Sequence, residues 1–327
     1  MARLDVDGVV KRYGRFAAVD GVSFSAQPGR ILGLLGPNGA GKTSTIRMIT
    51  RITLPDAGEI RLDGEPLGAA HQRRMGYLPE ERGLYRKLRV GEQLVYFGEL
   101  RGLSRAEART RATRWLDRLG LGEWAGKKTE ELSKGMQQKV QFAAALLHQP
   151  DLLILDEPFS GLDPVNAELL RDTVLEERTA GRTLLFASHR MEQVEQLCDD
   201  LCLIARGRVV LAGPLHEVKQ RFARDVVHLD FDGPDAFLDA LVAEGAVRIV
   251  QRGPGSAELQ LLGGTPARRV LDAALASVRD VRRFALDAPS LQDIFVRTVG
   301  ADAQADAAHA GAAGTTSDER ASPPNGR

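Results

Sequence analysis

Three short stretches hold side chains able to bind phosphate, hold a metal ion or move a proton. The first is Gly36-Pro37-Asn38-Gly39-Ala40-Gly41-Lys42-Thr43, which fills every fixed position of the G-x-x-x-x-G-K-[ST] phosphate loop. Its glycines let the backbone curl until several N–H groups face one spot, an anion-binding nest. The positive end of the following helix dipole faces the same spot. Lys42 supplies a mobile cation for β and γ phosphates, and the Thr43 hydroxyl can hold Mg²⁺. Ser44, next along, is assigned with the loop to phosphate binding. The second stretch is Asp151-Leu-Leu-Ile-Leu-Asp156, an apolar run that delivers two adjacent acids, Asp156 and Glu157, ahead of Pro158. Two acids at a strand end are often no more than exposed carboxylates. Opposite a phosphate loop they suit a Mg²⁺ site, with Asp156 on the metal, often through water, and Glu157 as general base for the attacking water.

The third stretch is Leu132-Ser-Lys-Gly-Met-Gln-Gln-Lys139. Ser133 is a good N-cap for a helix carrying Val140, Phe142, Ala143, Leu146 and Leu147. A Ser-x-Gly start also leaves a bare helix N-terminus able to take an anion at Ser133 and Gly135. His189 closes the apolar run from Thr183. A histidine there caps the strand, or reaches a γ-phosphate from the edge that carries Glu157. Tyr13 reads as a half-buried strand aromatic or as a ring on which adenine stacks. Cys198 and Cys202 form C-x₃-C, a weak metal spacing that better suits two small apolar side chains.

The strands and helices that carry these groups are legible from pattern. Residues 3–11 and 17–25 alternate around Tyr13-Gly14-Arg15 as two antiparallel strands. Arg30 to Leu35 is a buried strand and Thr43 to Thr50 a helix, the strand–loop–helix context that the phosphate loop needs. Gly58 to Gly64 is a strand ending in an Asp-Gly turn, and Met75 to Glu80 a strand that stops at Pro79. Helical spacing runs from about Val90 to Gly120, broken where Ser104-Arg-Ala-Glu107 forms a capping box. Arginines through 101–118 are interleaved with Glu99, Glu107 and Asp117, a solvated helix face rather than a nucleic-acid patch. Ser160-Gly161-Leu162-Asp163 is a turn, with Pro164 in the first turn of a helix. Beyond it, strands at 225–232, 246–251, 256–262 and 280–286 alternate with helices at 234–243 and 267–277. That β-α-β-β-α-β order describes a small ferredoxin-like unit.

Length and charge set the outer bounds. The chain has 327 residues, more than the ~100–200 of one typical domain. Lys plus Arg and Asp plus Glu both number 44, so no charge excess points to nucleic acid. Two cysteines exclude a disulfide scaffold and suit a reducing compartment. The first residues lack the apolar stretch of a signal peptide, and no apolar run approaches the ~18–20 residues of a membrane span. Any membrane role is expected to come through a partner.

In this order the residues resemble an ATP-binding cassette. Gly36–Thr43 resembles its Walker A, Leu132 to Gln138 its signature motif, and Leu152 to Pro158 its Walker B. Ser160 to Asp163 resembles its D-loop, His189 its switch histidine and Tyr13 its adenine-stacking aromatic. The resemblance covers roughly residues 3–222. It implies an α/β P-loop NTPase fold: a RecA-like parallel core, an antiparallel β subdomain and a helical subdomain at about 84–148. The expected cassette is 1–222, followed by an α+β accessory domain at 223–300, closed by a helix at Ser290 to Phe295. Residues 301–327, rich in Ala, Gly, Ser and Pro, are expected to be disordered.

The resemblance further implies an ATPase using Mg²⁺ held by Thr43, Glu80 and Asp156. Two cassettes would pair head to tail around two ATP molecules, so that Ser133 and Gly135 contact the γ-phosphate of the partner's ATP; Asp163 of the D-loop is counted with the nucleotide-binding residues. The closing motion would pass to polytopic membrane permease subunits, placing the chain at the cytoplasmic face of the membrane. One position departs from the common pattern: Glu80 stands where the family usually has Gln. The run Gly76 to Tyr85 resembles a bacterial exporter-type subgroup, similar to sodium and drug efflux cassettes, in which Glu occurs there. A soluble cassette ATPase acting on the ribosome or on nucleic acid is the competing reading. Such proteins usually carry two cassettes or long coiled coils, and this chain has one signature motif and no sustained heptads. A cassette that binds ATP without hydrolysing it is disfavoured by the presence of both Glu157 and His189.

Overall fold

The computed structural model describes residues 2–81, 83–222, 226–286, 290–296 and 298. The tail expected to be disordered, 301–327, lies outside the described residues. The chain divides into two units, Met1–Leu215 and a second beginning at His216.

In chain order the first unit holds β1 (Leu4–Tyr13), β2 (Phe16–Ala26), β3 (Ile31–Leu35), α1 (Lys42–Ile49), β4 (Ala57–Leu62), β5 (Glu65–Pro66) and β6 (Met75–Leu78). Three helices come next, α2 (Val90–Leu100), α3 (Arg105–Arg118) and α4 (Lys134–Leu146). Then come β7 (Leu152–Asp156), α5 (Pro164–Thr179), β8 (Thr183–Ser188), α6 (Met191–Leu197), β9 (Asp200–Ala205), β10 (Arg208–Pro214) and α7 (Leu215–Phe222), which crosses the division.

Two sheets form this unit. The antiparallel one has the order β2-β1-β4-β5. Its Asp63-Gly64 corner holds both residues at positive φ, 57° and 82°, the mirror-image turn that an Asp-Gly pair favours. The second sheet has the order β10-β9-β3-β8-β7-β6. All its neighbours are parallel except β10 against β9. Its central strands β3, β7 and β8 are buried at every position, as parallel strands covered on both faces must be. One core joins the two sheets across α1. Val6 and Leu62 from the antiparallel sheet, Ile46 and Ile49 from α1, and Leu34, Ile154 and Leu185 from the parallel sheet all belong to it.

Helices α2 to α4 pack on one another. The break between α2 and α3 falls where the capping box was expected: the Glu107 N–H donates to Ser104 Oγ, and the Ser104 N–H donates to the Glu107 carboxylate. Ser133 caps α4 and Asp163 caps α5, with Pro164 at its first position.

The second unit contains β11 (Val226–Asp232), α8 (Ala236–Ala243), β12 (Val247–Gly253), β13 (Ser256–Leu261), α9 (Ala267–Ser277) and β14 (Asp280–Leu286). The β-α-β-β-α-β order read from the sequence is present, with an antiparallel sheet of order β12-β13-β11-β14. Val227, Leu229 and Phe231 alternate along β11 into a core with Leu238, Leu241, Val270 and Ala274 of α8 and α9. Residues 291–296 are helical, opened by reciprocal bonds between Ser290 and Asp293.

Candidate functional site: one edge of the parallel sheet

Strand register brings the sequence-predicted groups together. Leu35 of β3 pairs with Ser188 of β8, Asp156 of β7 with Ala187, and Leu78 of β6 with Leu155. The carboxyl ends of four parallel strands therefore lie level, and each strand runs directly into a candidate group. After β3 comes the Gly36–Thr43 loop, after β6 Glu80, after β7 Glu157, and after β8 His189. Open α/β sheets bind ligands at this edge because loops and helix N-termini converge there.

The phosphate loop wraps the N-terminus of α1, where Gly41 is the cap at φ 109°. A Cβ on Gly41 would sit 2.5 Å from the Ala18 carbonyl oxygen, and one on Gly36 2.2 Å from that of Ile204. Both positions are closed to any other residue. Pro37, Asn38 and Gly39 are exposed and Ala40 is buried beneath them. Thr43 is exposed and Ser44 half-buried in the first turn of α1. Lys42 is buried, and its Nζ donates to the carbonyls of Gly36 at 2.6 Å and Pro37 at 3.1 Å. Burial lowers its pKa, and the carboxylates of Glu157, Asp156 and Glu80 oppose that shift. All three acids that the sequence assigned thus act on this cation.

Asp156 is buried, and its Oδ2 has no hydrogen-bond partner among the described residues. Desolvation, with Glu80 and Glu157 nearby, pushes its carboxyl up to about 6. An orphaned carboxylate oxygen in an acidic surround fits a cation. The described residues hold no group of three or more His, Cys, Asp or Glu able to enclose an ion. Mg²⁺ is commonly held by one or two carboxylates, with phosphates and waters completing its shell. Asp156, Thr43 and Glu80 are the residues that would hold it, and the ion would supply charge neutralisation at the phosphates. Gln141 of α4 fixes the Glu80 segment by donating to the carbonyls of Pro79 and Glu81.

Glu157 leaves β7 in the left-handed region, at φ 49°, a conformation costing about 1–2 kcal/mol for a residue with a side chain. Its N–H continues the ladder to the Ala187 carbonyl at 2.9 Å. The buried carboxylate is gripped at both oxygens. The His189 N–H donates to Oε1 at 2.7 Å, and His189 Nδ1 lies 2.7 Å from the same oxygen. Ser188 Oγ donates to Oε2 at 3.1 Å. An acid held rigidly at a sheet edge, beside a phosphate loop, suits orienting and deprotonating a water. Ser188 was not singled out from sequence. The available signal was a polar residue closing a buried strand whose run Leu184 to Ala187 is apolar.

The signature residues form a separate group. Ser133 Oγ accepts the Met136 N–H at 3.2 Å. A Cβ on Gly135 would lie 3.4 Å from Leu162 Cδ2. Asp163 accepts the Asn166 N–H at 3.0 Å, and these bonds hold its carboxyl below the usual range. Gln138 Nε2 donates to the Pro158 carbonyl at 2.9 Å, joining α4 to the turn after Glu157. None of these contacts reaches the Gly36–Thr43 loop. Tyr13 ends β1, 47% exposed, with Lys11 Nζ 5.9 Å from its ring centroid. Cys198 and Cys202 are both buried, and burial pushes both thiols up, so they pack rather than bind metal.

A parallel sheet with a phosphate loop, an acid pair and a capped signature helix defines the nucleotide-binding subunits of ABC transporters, and the chain belongs to that family. The ABC transporter family matches residues 19–160, and the family described as ATP-binding protein DrrA1-3-like, C-terminal domain, matches 213–299. The chain is 44% identical over 298 residues to the ABC transporter ATP-binding protein YhaQ of Bacillus subtilis (strain 168), covering 91% of this chain and 99% of that one. It is 38% identical over 305 residues to the Nod factor export ATP-binding protein I of Ralstonia nicotianae (strain ATCC BAA-1114 / GMI1000), covering 91% and 94%. A solved ATP-binding subunit of an ABC transporter superposes with a TM-score of 0.63 at 32% identity, over 67% of this chain and 92% of that one. The family binds and hydrolyses ATP and works with membrane permease subunits. Among the described residues no helix is long and apolar enough to cross a membrane.

Proposed function

We propose that this chain powers export, hydrolysing Mg·ATP at the cytoplasmic face of a membrane as one half of a head-to-tail pair of identical cassettes. The observation that carries this reading is the separation of the two half-sites. Lys42, Asp156 and Glu157 share one sheet edge, while Ser133 bonds within its own α4 and Gly135 lies beside the 161–162 turn. In this reading the bare N-terminus of α4 takes the phosphate of a nucleotide held by a second copy. Export is supported by the 38% identity to a Nod factor export subunit and by Glu80, the residue of the efflux-type subgroup. In this reading Glu157 is the base, His189 orients it, and Tyr13 stacks on adenine.

In this reading the membrane partner docks beside Pro79. A cleft of about 720 Å³ opens beside Pro79, lined by Tyr77, Phe97, Leu100, Arg101, Gln141 and His148. His148 Nδ1 and Gln141 Oε1 are buried there with no hydrogen-bond partner among the described residues. The test is extraction of the tagged chain from its native membrane in mild detergent, with identification of the proteins that accompany it. A stoichiometric polytopic membrane protein supports the reading, and efflux from vesicles holding both would establish direction. Ribosomes or nucleic acid in its place would overturn it.

A further inference from the structure

Ser188 is the last residue of β8 and has no exposed surface. Its hydroxyl stands at a junction of three contacts. It donates to Glu157 Oε2 at 3.1 Å, accepts the Arg190 N–H at 3.1 Å, and lies 3.3 Å from the side-chain amide of Gln193. One hydroxyl has one proton, so it cannot serve both the Glu157 carboxylate and an amide oxygen. Turning the Gln193 amide over, which its shape permits, places Nε2 at the hydroxyl. The hydroxyl is then satisfied: Gln193 Nε2 donates to Ser188, and Ser188 donates to Glu157. Gln193 sits in α6, two residues into the helix beyond the His189 loop.

We infer that Ser188 is a positioning residue for ATP hydrolysis, holding the Glu157 carboxylate through a Gln193–Ser188–Glu157 chain that ties the base to α6. The inference rests on the reading of Glu157 as the base. A capping role alone would need only the Arg190 contact, which closes a local turn. The contact to Glu157 crosses to another strand, 31 residues away in sequence. It also fills a need that the sheet edge creates. The Glu157 carboxylate has two anchors, His189 on Oε1 and Ser188 on Oε2. His189 is exposed and sits in a loop, whereas Ser188 is fixed within a buried strand. Ser188 therefore sets the plane of the carboxylate, and the orientation of a bound water depends on that plane.

The test is steady-state ATP hydrolysis by the full chain carrying Ser188→Ala, Ser188→Thr, Gln193→Leu or Glu157→Gln, alone and in combination. Loss of a hydrogen bond to a charged group predicts that Ser188→Ala lowers kcat by about ten- to thirtyfold with KM for ATP unchanged. Ser188→Thr, which keeps the hydroxyl, stays within about threefold of the parent, and Gln193→Leu lowers kcat in the same direction by a smaller factor. Adding Ser188→Ala to Glu157→Gln lowers the residual single-turnover rate no further, because Ser188 acts through the carboxylate. Wild-type kcat in Ser188→Ala, an equal loss in Ser188→Thr, or full multiplicative losses in the double variant would each overturn the inference. If Ser188→Ala does not fold, Gln193→Leu combined with Glu157→Gln decides the question from outside the strand. A Glu157→Gln chain that turns over normally would instead sink the reading of Glu157 itself.

Discussion

The backbone N–H and the ring Nδ1 of His189 converge on one atom, Oε1 of Glu157, each at 2.7 Å. A histidine that closes a strand and an acid that closes its neighbour thus form one unit, although 32 residues separate them. The ring is exposed while the carboxylate is buried, so the histidine links the base to whatever enters from solvent.

Glu157→Gln is expected to lower kcat about a hundredfold or more while ATP still binds, since general-base catalysis supplies roughly 10²–10⁴ in rate. His189→Ala is expected to cost only about tenfold, because the N–H to Oε1 remains. Phosphate-release assays paired with equilibrium binding of ATP separate the two effects. Glu80→Gln keeps most activity, because either side chain offers Mg²⁺ an oxygen. A loss in Glu80→Gln as deep as that in Glu157→Gln would refute the subgroup reading of Glu80.

Asp156 predicts a pH dependence with a definite sign. Its carboxyl is raised to about 6 in the folded chain and loses its proton near ~4 when unfolded. Between those values the folded state binds more protons. The stabilisation is therefore fully present below about pH 4 and lost as pH rises through about 6. Its upper bound is about 2–3 kcal/mol. Asp156→Asn should make the nucleotide-free chain more stable than the parent at pH 8 and flatten its melting temperature between pH 4 and 7. Calorimetry across that range, with chelator present, measures it. The same variant should lose Mg²⁺-dependent turnover.

Removing charge at Glu80 bears on the same group. Glu80 is the largest electrostatic contributor to the raised Asp156 carboxyl after desolvation. Glu80→Gln should therefore move the window of pH-dependent stability downward, toward the ordinary carboxylate range. Melting curves of this variant against pH check the prediction without any nucleotide.

Gly41→Ala places a methyl group 2.5 Å from the Ala18 carbonyl oxygen at φ 109°. Both the contact and the backbone conformation are unfavourable, and together they should cost about 2–3 kcal/mol in unfolding free energy. Urea denaturation measures it. ATP binding should fail as well, because relief of the contact requires the loop to open.

Tyr13→Ala is expected to raise KM for ATP about five- to tenfold with little change in kcat, the lower range for loss of one stacked base. Tyr13→Trp retains the parent KM. An unchanged KM in Tyr13→Ala would return Tyr13 to the role of an ordinary strand aromatic.

Local chemistry decided much in advance. The spacing of Gly36 to Thr43 fixes a phosphate loop, because only glycine tolerates the close approaches at Gly36 and Gly41. The caps at Ser104, Ser133 and Asp163, the Asp63-Gly64 corner and the apolar runs of β3, β7 and β8 are equally local, since each depends on neighbours within a few residues. The β-α-β-β-α-β order of the second unit was legible from the pattern of strand-like and helix-like segments. What the linear chain could not contain is register. That Leu35 stands beside Ser188, and Asp156 beside Ala187, depends on the order in which parallel strands pair, and that is settled by packing among distant segments. Register brings Ser188 to Glu157, leaves Asp156 Oδ2 without a donor among the described residues and gathers three acids before Lys42. These relationships are through-space electrostatics and hydrogen bonds, and they exist only once the core has set the distances.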